Sequence, residues 1–510
     1  MRGPLNIVRL VRMGATFERT GAMGILLESF NAPPLLRAAA RTLAWPFRWM
    51  GRPGDPGLPP VPRALVAMGP AYVKFGQILS TRPDVVGAPV AEQLRFLQDR
   101  LPPFPTEQAR VEIARELGQT AESLFSEFSG PVAAASLAQV HRARLRATGE
   151  AVAVKVLRPG IERAFRRDID ALRFTAQVIH ALVPSARRLR PLDVIAHFEG
   201  VVRGELDLRL EAAASSEFAA NTARDAGFRV PAVRWSLTAR RVLTMDWVEG
   251  IGAADTTAIR AAGHDTAELA QRVLRLFLSH ALRDGYFHGD MHQGNLKVAP
   301  DGDLVAFDFG IMGRIDDYTR RVYAEILWGF IRRDYRRVAE VHFEAGYVPP
   351  DRSVDAFAQA LRAVGEPIFG MDASHISMSR LLAYLFEVTE RFGMRTRTEL
   401  ILLQRTMVVV EGVARSLDPR MNIWEAARPV VEAYIRDSLG PRALARDMAR
   451  TARVLAAFSP RLPDLVREGL TRADEALPPP PRAAARAAMA AWAAAGLAVG
   501  ILGTLVLTGP

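Results

Sequence analysis

The sequence contains no cysteine, which excludes disulfides, thiolate metal sites and a cysteine nucleophile. It is nearly as poor in lysine. Of its 66 basic residues only Lys74, Lys155 and Lys297 are lysines, and the rest are arginines. In such a chain a lysine marks a place that needs a compact, flexible ammonium. Lys74 and Lys155 are read in that way, and Lys297 is read as a chance survivor. No uninterrupted apolar run opens the chain, because Arg9, Arg12 and Arg19 break it, so no secretory signal is expected there. Disorder is excluded by composition, with 49% hydrophobic and 24% charged residues. No internal repeat is visible.

The net charge is +11 over 510 residues, a length that suits two to four domains. Residues 1–62 carry eight arginines against three acids. There Arg41, Trp45, Phe47, Arg48, Trp49 and Arg52 interleave basic and aromatic side chains. Two readings stand: a membrane-proximal segment with indoles at headgroup level, or a packed helix with a solvated basic face. No nucleic-acid motif accompanies the charge, so nucleic acid is not an expected partner. The far end is different. After Pro478–Pro481, Arg482 and Arg486, residues 487–510 carry no charge. As a helix the apolar part would reach about 30 Å, enough for one bilayer crossing. A transmembrane helix is expected over 487–508, with Gly496 and Gly500 as a packing face and the arginines holding the bulk of the protein on the cytoplasmic side. A buried Ala-rich helix is the alternative.

Between these ends the pattern changes several times. PGDPGLPPVP at 53–62 reads as a linker, and helical periodicity covers about 63–125. Strands are expected at 139–145 and 151–157, the second being AVAVKVL, and a strand pair over 229–247. Long helices are expected over 164–222, and helices dominate from 256 onward.

The chemistry is concentrated in GYFHGDMHQGN at 285–295 and VAFDFG at 305–310. Asp290 and Asn295 are five apart, and Asp308 follows thirteen residues after Asn295. Phosphoryl transfer needs Mg²⁺ on hard oxygen ligands, a carboxylate near the attacking hydroxyl and a cation on the phosphates. D-x4-N followed by DFG supplies the oxygens. Lys155, in the strand VAVKV, supplies the cation and needs an acidic partner in so apolar a run; Glu211 is the leading candidate. His288 and His292 are four apart but lie in this loop, so structural hydrogen bonding is expected rather than zinc. The loop that would cover phosphates is PVAAASLAQV, with Gly130 the only glycine nearby. Alanines do not take positive φ cheaply, so its geometry must differ from a glycine-rich loop.

Taken together, these motifs resemble the UbiB/AarF family of atypical kinases over about residues 60–420. KFGQ at 74–77 followed by LSTRPD is similar to the family's KxGQ signature, AAASLAQVH at 133–141 to its Ala-rich loop, Glu205 and Asp207 to its ExD motif, and HGDMHQGN to its catalytic loop. Gly289 and Gln293 stand where the family often has Ala and Pro, and the single expected anchor contrasts with the two spans common in bacterial members.

The resemblance implies a bilobal, protein-kinase-like α+β fold with an N-terminal helical KxGQ extension, to which the uncharged C-terminal run adds the expected transmembrane helix. The expected divisions are a basic N-terminal segment (1–62), the extension (63–125), a small lobe (126–250), a helical large lobe (251–475), a Pro/Arg linker (476–486) and the anchor (487–508). It implies ATP and Mg²⁺ as cofactors. Asp290 would be the catalytic base, Lys155 and Glu211 the phosphate-binding pair, and Asn295 and Asp308 the metal ligands. ATP would contact Gly130, Val132, Ala133, Ala134, Ala135, Ser136, Leu137 and Ala138 in the loop and Met245, Asp246 and Val248 in the hinge. Lys74 and Gln77, facing Glu205 and Asp207, would be regulatory, folding over the site to block a protein-substrate groove. The implied role is an inner-membrane kinase or ATPase that supports ubiquinone biosynthesis, with membrane lipids or quinone intermediates and other quinone-biosynthesis proteins as partners. A protein kinase acting in trans and a nucleotide-binding scaffold are the alternatives.

On a helix, Lys74, Gln77 and Thr81 fall on one side, with Tyr72, Phe75 and Leu79 opposite. The periodicity alone therefore gives that segment one polar and one apolar face.

Overall fold

A computed structural model of the chain describes residues 3–29, 34–80, 86–94, 96–97, 103–135, 137–182, 190–370, 388, 391–394 and 398–439. Strands are numbered here in chain order.

The small lobe is built on an antiparallel sheet of order β1-β2-β3-β5, formed by Phe125–Ala134, Ala138–Leu145, Ala151–Leu157 and Val242–Asp246. The AVAVKVL segment becomes β3 because its β-branched residues alternate. Val152, Val154 and Val156 are fully buried and pack with Phe104, Ile113 and Phe125 on one face. Burying each such side chain contributes about 1.5–3 kcal/mol. Ala153 and Lys155 point out of the other face. Arg241, just ahead of β5, is buried and bonds Glu112 at 2.7 Å, Glu162 and the Arg158 carbonyl. It thereby ties the Thr106–Leu117 helix to the sheet.

The expected strand pair over 229–247 is not a hairpin. Phe228–Arg229 (β4) runs parallel to Leu304–Ala306 (β9), in a second sheet of order β4-β9-β8-β6. There β6 is Ile251–Gly252 and β8 is Leu296–Val298. The intervening segment meets β5 through an isolated antiparallel bridge, Val233 with Met245, and through Arg234 to Asp246 and Thr244 to the Leu237 carbonyl, without forming a strand. The split follows from burial: Phe228 packs into the large-lobe core against Phe218, whereas Val242 enters the small-lobe core.

The expected helical run over 164–222 is three helices, Ile161–Leu182, Pro191–Glu205 and Leu208–Thr222. Asp207 starts the last, its side chain accepting from the Arg209 N–H. The helices Pro60–Met68, Pro70–Ser80 and Ala88–Leu94 precede the small lobe, so helix already begins within the segment read as a linker. Gly76 of KFGQ sits where a Cβ would run into Leu65 and Leu97, and Phe75 meets Phe198 edge-on at 5.1 Å. The apolar side that holds Tyr72, Phe75 and Leu79 faces this core.

In the large lobe, Thr266–Ser279 packs beside Thr398–Leu417 around a core that includes Phe277, Phe287 and Val410. The strands Tyr286–His288 (β7) and Met312–Arg314 (β10) pair antiparallel and frame the catalytic segment. Gly313 lets this pair close, because a Cβ there would strike the Phe287 ring. Among the described residues no helix is long and apolar enough to cross a membrane. The expected span at 487–508 lies outside the described residues, as do Ser136 and Thr81.

Candidate active site

A cleft of about 720 Å³ receives residues from both lobes and from the extension. Its ceiling is β2 and β3 with the Ala133–Ala135 loop. Its back is the Leu208–Thr222 helix, and its floor is β8 with the segment 307–312.

Lys155 is the centre of its charge. Its ammonium donates to both oxygens of Glu211, at 2.7 and 2.9 Å, and to Asp308 Oδ1 at 3.2 Å. Glu211 is buried, and it reaches Lys155 from the first turn of its helix. Burial alone would weaken the proton affinity of Lys155, but the carboxylates of Asp308 and Glu211 outweigh it and hold the pKa above its usual value. One cation faces two carboxylates. Asp308, beside Lys155, is drawn down to about 2. Glu211 is pushed up to about 7 by burial and by Asp308, against the pull of Lys155. Asp308 also holds a φ of 65°, a left-handed backbone uncommon outside glycine. Such strain persists where surrounding structure over-determines it, as at active sites.

The catalytic segment is knit by its own polar groups. The Asp290 N–H donates to His288 Nδ1 at 3.1 Å, which leaves the ring proton on Nε2 to donate to the Phe307 carbonyl at 3.4 Å. His288 is buried, and burial lowers its pKa, which suits this neutral form. It therefore links the Asp290 loop to the strand end before Asp308. His292 Nδ1 accepts the Gly294 N–H at 2.9 Å, so this histidine too is a structural element. From the large lobe, Thr406 Oγ1 donates to the Gly289 carbonyl at 2.9 Å and Gln293 Nε2 donates to Ser416 Oγ at 2.6 Å. Asn295 is buried and donates through Nδ2 to the Asp290 carbonyl at 3.0 Å. With its NH₂ end fixed, the planar amide directs its oxygen the other way.

Among the described residues no three His, Cys, Asp or Glu side chains cluster as a ready metal cage. Among the oxygen donors lining the cleft, the Asp308 carboxylate and the Asn295 amide oxygen are the pair that the D-x4-N and DFG motifs would assign to a metal. That set fits Mg²⁺, which is commonly held by one or two protein oxygens with phosphates and water completing its shell.

The loop is pinned from outside. Arg158 donates through Nε and Nη2 to the Ala135 carbonyl, at 3.2 and 3.1 Å, and its guanidinium lies over the Phe104 ring at 5.6 Å. Val132, Ala133, Ala134, Ala135, Leu137 and Ala138 line the cleft. Gly130 does not. It lies within β1, before the turn, so the expected contact there is corrected. Met245, Asp246 and Val248 line the opposite end of the cleft.

From the extension, Lys74 reaches Glu205 at 2.7 Å, with both side chains largely buried. Gln77 goes elsewhere: its Nε2 donates to the Leu97 carbonyl at 3.3 Å, and it does not line the cleft. Asp207 lines the cleft but is held by the Arg209 guanidinium, at 2.9 and 2.7 Å. Three participants were not singled out in the sequence: Arg158, Thr406 and Lys297. The first two carry no motif. Lys297 carried the same signal of scarcity as the other lysines.

Comparison with known proteins agrees with this geometry. Residues 96–342 match the ABC1 atypical kinase-like domain, and residues 361–422 match the UbiB helical domain. The probable protein kinase UbiB of Marinobacter nauticus is 40% identical over 412 residues, which cover 80% of this chain and 75% of that one. The chain belongs to the UbiB family of ABC1 atypical kinases. A second member, the probable protein kinase UbiB of Aeromonas hydrophila, is also 40% identical, over 80% of this chain and 76% of its own. Among solved structures, the complex of Rv3197 with erythromycin from Mycobacterium tuberculosis superposes with a TM-score of 0.51 at 26% identity, over 71% of this chain and 92% of that one. Family and fold together establish a kinase-like enzyme.

Proposed function

We propose that the protein is a membrane-associated kinase or ATPase that uses Mg-ATP and supports ubiquinone biosynthesis, acting on prenyl-lipid intermediates or giving soluble enzymes access to them. The observation that carries the catalytic part is the convergence of Lys155, Glu211, Asp290, Asn295 and Asp308 in one cleft. On this reading Lys155 neutralises the phosphates and Glu211 fixes its position. Asp290 accepts the proton of the attacking hydroxyl or water. Asn295 and Asp308 hold Mg²⁺, which when bound neutralises charge developing on the transferred phosphoryl group.

The quinone pathway comes from the family resemblance. Membrane association is supported by Trp45 and Trp49, which are 68% and 78% exposed on a short turn that also carries Arg48. Indoles beside arginine suit the headgroup layer of an anionic leaflet. The Lys74–Glu205 contact favours a small or lipid acceptor over a protein acting as substrate in trans, because the extension reaches the cleft itself. The test is ATP hydrolysis by the full-length protein in detergent, with and without added liposomes, beside Asp290→Asn. Turnover that needs Asp290 and rises with membrane supports the reading. Tight Mg-nucleotide binding without turnover in any condition favours the scaffold.

A further inference from the structure

Every lysine of this arginine-rich chain lines the same cleft, and among the described residues no arginine does. Lys74 meets Glu205 and Lys155 meets Glu211, so two of the three are matched to carboxylates. Lys297 is not. Its ammonium donates to the Val248 carbonyl at 3.1 Å and stands 5.2 Å from the Trp247 ring and 6.0 Å from the Phe307 ring.

The strand explains how it arrives there. In β8, Leu296 and Val298 are buried in the large-lobe core. Alternation turns Lys297 to the opposite face, into the cleft. A carbonyl and two aromatic faces converge on one small cation. An ammonium fits that convergence, whereas the broad planar fork of a guanidinium does not.

The consequence concerns the hinge carbonyl. Val248 ends the 245–248 hinge, which lines the cleft and would lie along the base of the Mg-ATP proposed above, and this inference rests on that reading. Its carbonyl would offer an acceptor to the edge of a base, but Lys297 already takes one of its two lone pairs and sets an ammonium beside the other. An incoming base therefore meets a donor and a positive charge at that point. Adenine carries only C–H at its 2-position. Guanine and other 2-aminopurines carry an exocyclic amino group, which would set donor against donor. We propose that Lys297 is a specificity-determining residue that selects adenine and rejects purines bearing a 2-amino group.

The test uses the full-length protein with Mg²⁺ and a fluorescent ADP displaced by ADP, GDP or 2-aminoadenosine diphosphate. The last differs from ADP only by the amino group, so the unaltered protein gives an answer whatever a variant does to folding. We expect the 2-amino group to weaken binding on the order of tenfold, the scale of one buried polar mismatch. In Lys297→Met the Val248 carbonyl is released, and the gap between ADP and 2-aminoadenosine diphosphate is expected to fall within about twofold, less than one hydrogen bond. ADP and its 2-amino analogue binding the unaltered protein equally well would overturn the proposal, as would a folded Lys297→Met that keeps the gap. Failure of all three nucleotides to bind the unaltered protein would overturn the Mg-ATP reading along with it.

Discussion

Lys155 and Glu211 meet at 2.7 Å, although 56 residues separate them and one lies on a strand and the other on a helix. Asp308 adds a second carboxylate at 3.2 Å from the same ammonium. The cluster is therefore short of positive charge, which is the condition a divalent cation and a phosphate together would relieve.

This imbalance has a pH signature. Glu211 has a folded pKa raised to about 7, above that of the unfolded chain. Between the two values the folded state binds the extra proton, so stability falls as pH rises from about 4.5 to about 7. Asp308 acts in the opposite sense at lower pH, since its folded pKa is depressed to about 2. Its contribution is present above the usual Asp value and is lost as pH falls towards 2. Glu211→Gln is expected to flatten the upper part of the profile only. Thermal melting of nucleotide-free protein across pH 4 to 8 checks it, and an unchanged slope would refute the assignment.

Asp290 is held mainly by its backbone, whose N–H goes to His288 and whose carbonyl receives Asn295; its carboxylate has only a long contact, 3.7 Å, with His292 Nε2. Asp290→Asn should therefore preserve the loop. The expected result is a loss of kcat by about 10²–10⁴, the usual worth of a general base, with little change in nucleotide affinity. Steady-state hydrolysis and equilibrium binding on the same preparation separate the two.

Lys74 and Glu205 form a largely buried pair. Removing the lysine takes the 2.7 Å ion pair away from a largely buried carboxylate, at a cost of about 3 kcal/mol. Lys74→Met should lower stability by that order, and Glu205→Leu in the same background should recover most of it. Urea unfolding of both single variants and the double variant closes the cycle. Additive losses would show that the contact carries no coupling.

The Arg158 side chain grips the Ala-rich loop at the Ala135 carbonyl and lies over the ring of Phe104, while its backbone N–H donates to the Leu137 carbonyl. It is a positioning residue. Arg158→Met is expected to raise KM for ATP about tenfold, the order of a lost charge-assisted hydrogen bond, with kcat nearly unchanged. A fall in kcat alone would contradict this.

Trp45 and Trp49 are exposed, so their replacement by alanine should leave thermal stability within about 0.5 kcal/mol. Binding to anionic vesicles, measured by flotation, should fall and lose part of its salt dependence. Unchanged flotation would remove this turn from the membrane reading.

The residues proposed for catalysis were legible because they are local. Asp290, Asn295 and Asp308 lie on one short stretch, and the chemistry of Mg-ATP demands those residue types at that spacing. AVAVKVL was legible for a similar reason: its period of two and its β-branched residues mark a strand, and a lysine among valines calls for a partner. Other features had no local signal. Nothing near Phe228 announces that it leaves the small-lobe sheet for the large lobe, because the choice depends on which core has room for a phenylalanine. Gln77 shares a helix face with Lys74, yet it turns to the Leu97 carbonyl, since the nearest partner is set by the packing of the neighbouring helix. Gly130, the only glycine near the Ala-rich loop, was expected to contact ATP, and register places it within the strand before the turn.

The sequence by itself determined the kinase-like family and most of the lobe-forming elements, since each rests on residue type and short-range spacing. Glu211 was already the expected partner of Lys155, but only tertiary structure decided that Lys74 takes Glu205 while Arg209 takes Asp207, and that Lys297 takes a carbonyl. Lys155 with Glu211, Lys74 with Glu205 and Lys297 with the Val248 carbonyl are contacts across 49 to 131 positions of chain. Their strength depends on distance and burial, quantities that exist only once the lobes have folded against one another.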